Sequence, residues 1–268
     1  VKNVGANIGT WELFKLYISG NALNVVLPAK LGDAAVICYL RMQGIGIGMS
    51  AAIAVQCRIL DVLALLILSL PSAFLVFREK MPEWISLMLV GSLIIAALPL
   101  GVVLLSTTGK LPHLTKRNFE FLNKKRNISR FMEKAKEAYL GYIKLASIKR
   151  LFAITLLLSL SIWLLEILTC YADSLAVGAH VPILAIVLGV SLANMGKIAP
   201  ATPGSIGIYE SILATVLALF GVPMVLAVPI AILDHAIKNS FTLALGVPAT
   251  TSQGLNLYEL AKRSEAQQ

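Results

Sequence analysis

Long apolar runs alternate with short polar segments along the chain, and their lengths predict helices that cross a membrane. The clearest runs lie at residues 49–77, 84–106, 151–170 and 224–247, and a spanning helix needs roughly 20 apolar residues. The runs are rich in Leu, Ile and Ala and lack the alternation typical of strands, so we expect helices. The pattern therefore predicts an all-α fold, a polytopic membrane helix bundle.

The clearest interruption of this pattern is the segment 194–210, which reads NMGKIAPATPGSIGIYE. Pro200 and Pro203 each lack a backbone donor, and Pro203 disfavours helical geometry at Thr202. We therefore expect a break at 199–202 and a second helix with Thr202 as its cap and Pro203 in its first turn. Interrupted backbone at membrane depth is tolerated only beside protein or a water-filled cavity, so the break predicts a binding site.

A similar interruption lies in the first half of the chain. We expect a helix at 11–29 that is ended by Pro28, followed by a short segment that returns as far as Met42. The two halves share two short motifs, which are Pro-Ala-x-x-Gly at 28–32 and 200–204 and Ile-Leu-Asp at 59–61 and 232–234. These matches predict an internal repeat.

The direction of the spans makes this repeat an inverted one. If the basic loop is cytoplasmic, the span 224–247 runs opposite to its counterpart 49–77, and two broken or re-entrant helical hairpins face each other, as in secondary transporters. We expect one transmembrane domain over 1–268, with a first half at 1–107, a basic cytoplasmic loop at 108–150, a second half at 151–247 and a cytoplasmic tail at 248–268.

Composition supports an integral membrane protein, because 57% of residues are hydrophobic, 14% are charged and the mean hydropathy is +0.82. The net charge of +9 is concentrated at 110–150, which holds twelve Lys or Arg and three Asp or Glu. This block predicts a cytoplasmic loop of a cell-membrane protein. Nucleic-acid binding is the rival explanation of a basic stretch, but the membrane setting makes it minor, so we expect no nucleic-acid partner.

The basic loop also carries apolar residues at helical spacing, which are Ile128, Phe131, Ala135, Ala138, Tyr142 and Leu145. The spacing predicts an amphipathic helix that lies on the cytoplasmic face or packs under the bundle. Its cations attract anionic lipid, or they form a solvated face that only fixes the orientation of the chain.

Charged and polar side chains near the two interruptions are the candidates for a binding site, because charges at bilayer depth must pair or line a cavity. Arg58 and Asp61 can neutralise each other, as can Asp234 and Lys238, and a structural salt bridge explains either pair equally well. The full set of candidates is Asn24, Lys30, Asp33, Arg41, Arg58, Asp61, Asn194, Lys197, Thr202, Gly204, Gly207, Glu210, Asp234, His235 and Lys238.

The second interruption suggests individual roles. The helix expected at Pro203 offers its N-terminal dipole to an anion, with Gly204 allowing close approach. Lys197 supplies a positive charge for a phosphate, and Glu210 can meet an ammonium group or a proton. Gly207 lets a lipid or a neighbouring helix come close, and helix packing alone is the alternative explanation of these glycines.

The motifs at 24–33, 58–61 and 200–210 also resemble the signatures of the lysylphosphatidylglycerol synthase transmembrane-region family, over about residues 11–250. The resemblance implies translocation of aminoacylated phosphatidylglycerol, hopanoid or polyprenyl-linked lipids, and it implies further helices ahead of Val1. The soluble aminoacyl-transferase domain is absent, so we expect no synthase activity. The chain departs from the family pattern at four places, which are Cys57, Ser205, Ile37 and Asp234-His235.

These observations favour a lipid flippase in the cell membrane, with an anionic phospholipid or a polyprenyl-phosphate-linked lipid as its partner. The alternatives are a non-transporting membrane partner of a lipid-linked glycosyltransferase and an intramembrane lipid-modifying enzyme. An enzyme would need a nucleophile or a metal cluster, and the sequence contains no His/Asp metal set and no Ser/His/Asp arrangement. We therefore expect no enzyme activity, no metal and no cofactor, and a homo-oligomer is compatible with the sequence.

Overall fold

The computed structural model describes residues 8–27, 31–77, 81–107, 126–197 and 202–252. Within these ranges the chain forms nine α-helices and a short 3-10 turn, and no strand occurs in them. The elements are α1 (Thr10–Val26), α2 (Leu31–Met42), α3 (Ile47–Val76), α4 (Glu83–Thr107), α5 (Arg126–Ala146), α6 (Lys149–Ala176), α7 (Ile183–Gly196), the turn Pro203–Ser205, α8 (Ile208–Leu219) and α9 (Met224–Ser252).

Four of these helices are long and apolar enough to cross a bilayer, namely Ile47–Val76, Glu83–Gly101, Lys149–Ala176 and Met224–Ser252. Their positions agree with the four runs read from the sequence. The predicted all-α, multi-pass membrane fold is therefore confirmed. The inverted arrangement of its halves and the single-domain organisation stay predictions.

The chain separates into two compact units. The larger unit consists of Ile47–Ala199 and Gly207–His235, and the smaller unit consists of Val1–Gly46, Pro200–Ile206 and Ala236–Gln268. In the larger unit, α3 contacts α4, α5, α6 and α7. This helix is therefore the common packing partner around which the larger unit is built.

Helix α7 is covered on every side within the larger unit. Ile186, Leu188, Val190 and Leu192 all have no exposed surface, and each step of two residues turns an α-helix by about 200°. A helix that is apolar all round is a buried one. Protein therefore surrounds the helix that leads into the predicted interruption, whereas α6 exposes residues such as Leu157 and Leu165.

In the smaller unit, glycines allow helices to pack closely. A side chain at Gly32 would collide with the carbonyl oxygen of Gly20 and with Asn24, so α1 and α2 touch through their backbones. A side chain at Gly246 of α9 would likewise collide with Ile18 and Ala22 of α1. Small residues at helix crossings are typical of membrane bundles, because they let backbones approach.

The amphipathic helix predicted in the basic loop is confirmed as α5, and it packs against α3. Tyr142 and Leu145, from the predicted apolar face, are buried. Gly141 lies close to Met49 and Ala52 of α3. The helix thus packs on the bundle, whereas the expected attraction of its cations to anionic lipid stays a prediction.

The second interruption differs in detail from its prediction. Helix α7 ends at Gly196, and Thr202 is extended, but Pro203 begins only a 3-10 turn. The predicted helix start at Pro203 is wrong, since the α-helix begins at Ile208. The physical reason is Gly204, whose φ of 59° is left-handed and stops α-helical hydrogen bonding at once.

Two further boundaries are corrected or left open. Helix α9 continues through Pro248 to Ser252, so the predicted end of this span at 247 is wrong. Leu27 is extended at the end of α1, whereas Pro28, Lys30 and Pro200 lie outside the described residues. The breaks expected at Pro28 and Pro200 themselves therefore stay predictions.

Candidate functional site

The start of α8 is organised by Gly207 and Glu210. Gly207 has a φ of 87°, which an L side chain adopts only with strain, and it is the residue that caps the helix. Its backbone N–H donates to Oε2 of Glu210 at 2.7 Å. Glu210 therefore lies in the first turn of α8, and its carboxylate occupies part of the positive helix end.

The second oxygen of Glu210 contacts a histidine on α9. Oε1 of Glu210 lies 2.6 Å from Nδ1 of His235, and the side chains are 19% and 2% exposed. A carboxylate can only accept, so when Glu210 is ionised the Nδ1 atom of His235 carries a proton and donates it. The other ring nitrogen, Nε2 of His235, is buried and has no hydrogen-bond partner among the described residues.

Tyr209 connects this pair to a buried carboxylate and to a cation. Its hydroxyl donates to Oδ2 of Asp234 at 2.5 Å. Its ring centroid lies 4.5 Å from that of His235. The ammonium group of Lys197, just after α7, lies 4.1 Å from the centre of the Tyr209 ring, a distance typical of a cation–π contact.

These five residues form one polar cluster in the larger unit, which we call the Tyr209 cluster: Lys197, Tyr209, Glu210, Asp234 and His235. Asp234 and Tyr209 have no exposed surface, and His235 is 1% exposed. Charges and hydrogen bonds act strongly in such a place because little water screens them. The cluster holds both signs of charge, so it can contact a phosphate through Lys197 and bind a proton or an ammonium group through its carboxylates.

A second polar contact in the larger unit joins α3 to α6. Arg58 Nη1 lies 3.6 Å from Asp61 Oδ2, which confirms the predicted pair. The Oγ of Ser159 donates to the other carboxylate oxygen of Asp61 at 3.0 Å. Because the carboxylate of Asp61 contacts Arg58 on its own helix and Ser159 on α6, a structural role explains this pair well.

In the smaller unit, two of the candidates from the first interruption contact each other. Asn24 Nδ2 donates to Asp33 Oδ1 at 2.8 Å and so links α1 to α2. Thr202 donates to the backbone of Ile206. A side chain at Gly204 would lie 3.0 Å from the carbonyl oxygen of Val25, which supports close packing as the reason for glycine there.

The remaining candidates are Asn194, Arg41, Lys238 and Lys30. Asn194 donates to Val190 O of its own helix. Arg41 is exposed in the last turn of α2. Lys238 is half-buried on α9, one turn beyond Asp234, and Lys30 lies outside the described residues.

Two residues of these sites were missed by the sequence reasoning. Tyr209 is the centre of the cluster, and Ser159 holds Asp61. Tyr209 could have been found from its position beside Glu210, because the hydroxyl of a tyrosine at membrane depth needs a hydrogen-bond partner. No local pattern marks Ser159. In the described ranges, no group of three or more His, Cys, Asp or Glu side chains is arranged to hold a metal ion.

Comparison with known proteins gives a family match over most of the chain. Residues 1–246 match the family model described as the lysylphosphatidylglycerol synthase TM region. A UPF0104 membrane protein of Pyrococcus horikoshii is 26% identical over 272 residues, which cover 92% of this chain and 78% of the relative. No solved structure gives a significant match.

Two further relatives match over shorter stretches. The glycosyltransferase AglD of Haloferax volcanii is 33% identical over 113 residues, 40% of this chain and 18% of AglD. A UPF0104 membrane protein of Methanothermobacter thermautotrophicus is 35% identical over 107 residues, 40% of this chain and 32% of that protein. Each of these matches thus spans only a minor part of the relative.

Proposed function

Because the chain belongs to the lysylphosphatidylglycerol synthase TM region family, we propose that it moves a lipid with a polar or phosphate-bearing head group across the membrane. The proposed cargo is an anionic phospholipid or a polyprenyl-phosphate-linked lipid. The head group crosses beside the Tyr209 cluster, while its apolar chains stay in the bilayer. Transport, and not catalysis, is the proposed activity.

The observation that carries this proposal is the Tyr209 cluster itself. Lys197 follows the end of the buried helix α7, and Glu210 lies in the first turn of α8. The cluster is therefore formed where apolar helices stop and start again, in a unit made of membrane helices. Polar and ionisable residues at such depth are costly, and they typically mark the path of a substrate or an ion.

The side chains suggest how a head group is held. Lys197 is half-buried, and its ammonium group can exchange the face of Tyr209 for a phosphate, a stronger partner. Glu210 is 19% exposed, so its carboxylate can contact a group entering from outside the cluster. Asp234 accepts a hydrogen bond from Tyr209 in the interior, and its carboxylate compensates the positive charge of Lys197.

The orientation of the chain is part of the proposal. We infer that the basic segment 108–150 and the C-terminal tail lie in the cytoplasm, because Lys and Arg accumulate on that side of membrane proteins. The four spanning helices make the protein multi-pass. A homo-oligomer is compatible with this arrangement.

Lipid movement can be tested with purified protein in liposomes that contain fluorescent phosphatidylglycerol. Wild-type protein should expose inner-leaflet lipid to a quencher added outside, and Lys197→Ala and Glu210→Gln should each slow this exposure about tenfold or more, as expected when one charged hydrogen-bond partner is lost. Lys144→Ala and Glu83→Gln change exposed residues outside the cluster and serve as matched controls. Wild-type rates in both cluster variants would show that Lys197 and Glu210 are not part of the transport site.

A second candidate function has support in one relative. The match to the glycosyltransferase AglD favours a role beside a lipid-linked glycosyltransferase, with this chain as a membrane partner that moves no lipid. Liposomes without lipid movement would favour this role, whereas a modified lipid product would favour an intramembrane enzyme. Both outcomes would contradict the transport proposal.

A further inference from the structure

We propose that a cavity between α3, α4 and α5 binds one hydrocarbon chain of an anionic phospholipid from the surrounding bilayer. The cavity involves none of the residues of the Tyr209 cluster, and the proposal does not depend on the transport function proposed above. It is carried by the walls of the cavity, by the surface on which the cavity opens and by the charge of α5.

The cavity has a volume of about 410 Å³ and belongs to the larger unit. This size lies in the range of roughly 300–1,000 Å³ that is usual for ligand sites. Its walls include Ala52 and Val55 of α3, Leu98 of α4, and Ala138, Tyr139 and Tyr142 of α5. The hydroxyls of both tyrosines are buried, so their rings present carbon to the cavity. These walls fit a hydrocarbon chain and not a polar ligand.

The cavity opens on the surface that faces the bilayer. Val55 and Leu98 line it and are also 49% and 65% exposed. Both residues belong to helices that are long and apolar enough to cross a membrane, and the exposed apolar surface of such helices is covered by lipid. A chain of a bilayer lipid therefore reaches the cavity without passing through water.

The position of the cavity along α3 matches the upper part of a lipid chain. The 30 residues of this helix extend about 45 Å, which exceeds the roughly 30 Å of a hydrocarbon core. The first turns of α3 therefore lie among head groups. Ala52 and Val55 follow the start of the helix at Ile47 by about 8 and 12 Å. The cavity thus lies where a lipid chain begins below its head group.

Helix α5 supplies a cation at the head-group end of the cavity. A side chain at Gly48 would collide with Glu137, and one at Gly141 would lie 3.0 Å from Ala52. Helix α5 therefore advances along α3, from the start of α3 towards its middle. Lys134 precedes all these contacts on α5, so it lies on the side of the cavity where the head group is expected.

The charge of α5 favours an anionic lipid. The helix contains five Lys or Arg and two Glu, and basic helices at a membrane surface attract anionic head groups. Nζ of Lys134 lies 3.4 Å from Oε2 of Glu137, and the two side chains are 55% and 47% exposed. An ion pair with this exposure is weak, so the ammonium group can turn to a lipid phosphate, which is a stronger partner.

The site can be tested with phospholipids that carry a photoreactive diazirine in the upper half of one chain. The probes are phosphatidylglycerol and phosphatidylcholine, which are added to the purified protein in detergent, irradiated and located by mass spectrometry of peptides. We expect labelling with the phosphatidylglycerol probe to be concentrated on the walls of the cavity, to saturate, and to be displaced by unlabelled phosphatidylglycerol.

Filling the cavity should remove the site. Val55→Phe should weaken binding of the phosphatidylglycerol probe by about tenfold or more, the factor that corresponds to two fewer buried methylene groups. Val90→Phe makes the same change at an exposed position of α4 outside the cavity and should keep wild-type binding. Leu98→Phe and its control Leu87→Phe repeat the comparison from another wall. All four residues are about half exposed or more, so these changes displace no buried neighbour.

The head group is tested by comparing the two probes. Phosphatidylglycerol should bind about fivefold more tightly than phosphatidylcholine, and Lys134→Gln should remove most of this preference, as expected for one lysine near an anionic lipid. Lys136→Gln makes the same change at an exposed residue of α5, about 200° further round the helix, and should keep the preference.

Three results would overturn the proposal. Labelling that spreads over α6 and is not displaced would show only non-specific contact with bulk lipid. Equal binding of the two probes would refute the anionic head group. Absence of labelling, together with an oligomer that Val55→Phe dissociates, would assign the cavity to a second copy of the chain. All three are measured without lipid movement, so the transport proposal is decided separately.

Discussion

The hydrogen bond between Tyr209 and Asp234 gives the sharpest test of the Tyr209 cluster. Both residues have no exposed surface, so water cannot replace the hydroxyl when it is removed. Hydrogen bonds to charged groups contribute roughly 1.5–3 kcal/mol to stability. We therefore expect Tyr209→Phe to lower the free energy of unfolding by about 2 kcal/mol, a change of about thirtyfold in the unfolding equilibrium.

The assay is reversible unfolding in detergent micelles titrated with SDS and followed by tryptophan fluorescence. Tyr209→Phe keeps the ring against Lys197, so the measured loss reports mainly the hydroxyl group. Tyr171→Phe removes a hydroxyl from a residue that is 36% exposed and should change stability by less than about 0.5 kcal/mol.

A double-mutant cycle with Asp234→Asn identifies the partner of the hydroxyl. A neutral amide oxygen accepts a weaker hydrogen bond, so Tyr209→Phe should cost only about 1 kcal/mol in the D234N background. The expected coupling of about 1 kcal/mol exceeds the scatter of about 0.3–0.5 kcal/mol seen for independent sites. Equal costs in both backgrounds, or a cost no larger than that of Tyr171→Phe, would refute the reasoning.

Two further predictions concern packing and the contact between α3 and α6. Gly32→Ala should destabilise the protein by about 1–3 kcal/mol, because its Cβ collides with the Gly20 carbonyl. Gly91→Ala, in open space on α4, should instead stabilise by about 0.5–1 kcal/mol in the same unfolding assay. Ser159→Ala should cost about 1 kcal/mol by removing a donor from Asp61, and an unchanged unfolding curve would show that water replaces this donor.

The long helices could be predicted because their signal is local. A sufficiently long apolar run is stable in a bilayer as a helix, because a helix satisfies the hydrogen bonds of its own backbone. The apolar runs therefore predicted α3, α4, α6 and α9, and most of the predicted ends lie within a few residues of the observed ends. The amphipathic α5 was predicted for the same reason, since its 3.6-residue period is a property of the chain itself.

The turn between α7 and α8 could be predicted only in part. Its prolines and glycines predicted an interruption of the helix, and the structure confirms that α7 ends before Thr202. The start of the next helix depended on the left-handed backbone of Gly204 and Gly207. Glycine permits this conformation without requiring it, so the sequence could not decide between a helix beginning at Pro203 and one beginning at Ile208.

By itself, then, the sequence determined that this is a membrane protein, where its helices run and which residues carry charge inside them. It predicted the pair Arg58–Asp61 within one helix, but it did not determine which polar side chains meet between helices. Helical spacing suggested Lys238 as a partner of Asp234, and this pair stays a prediction, whereas the hydrogen bond from the hydroxyl of Tyr209, 25 residues away in the chain, is seen only in the structure. Contacts between α8 and α9 depend on how the helices pack, and that choice is made by the buried surfaces of the whole unit.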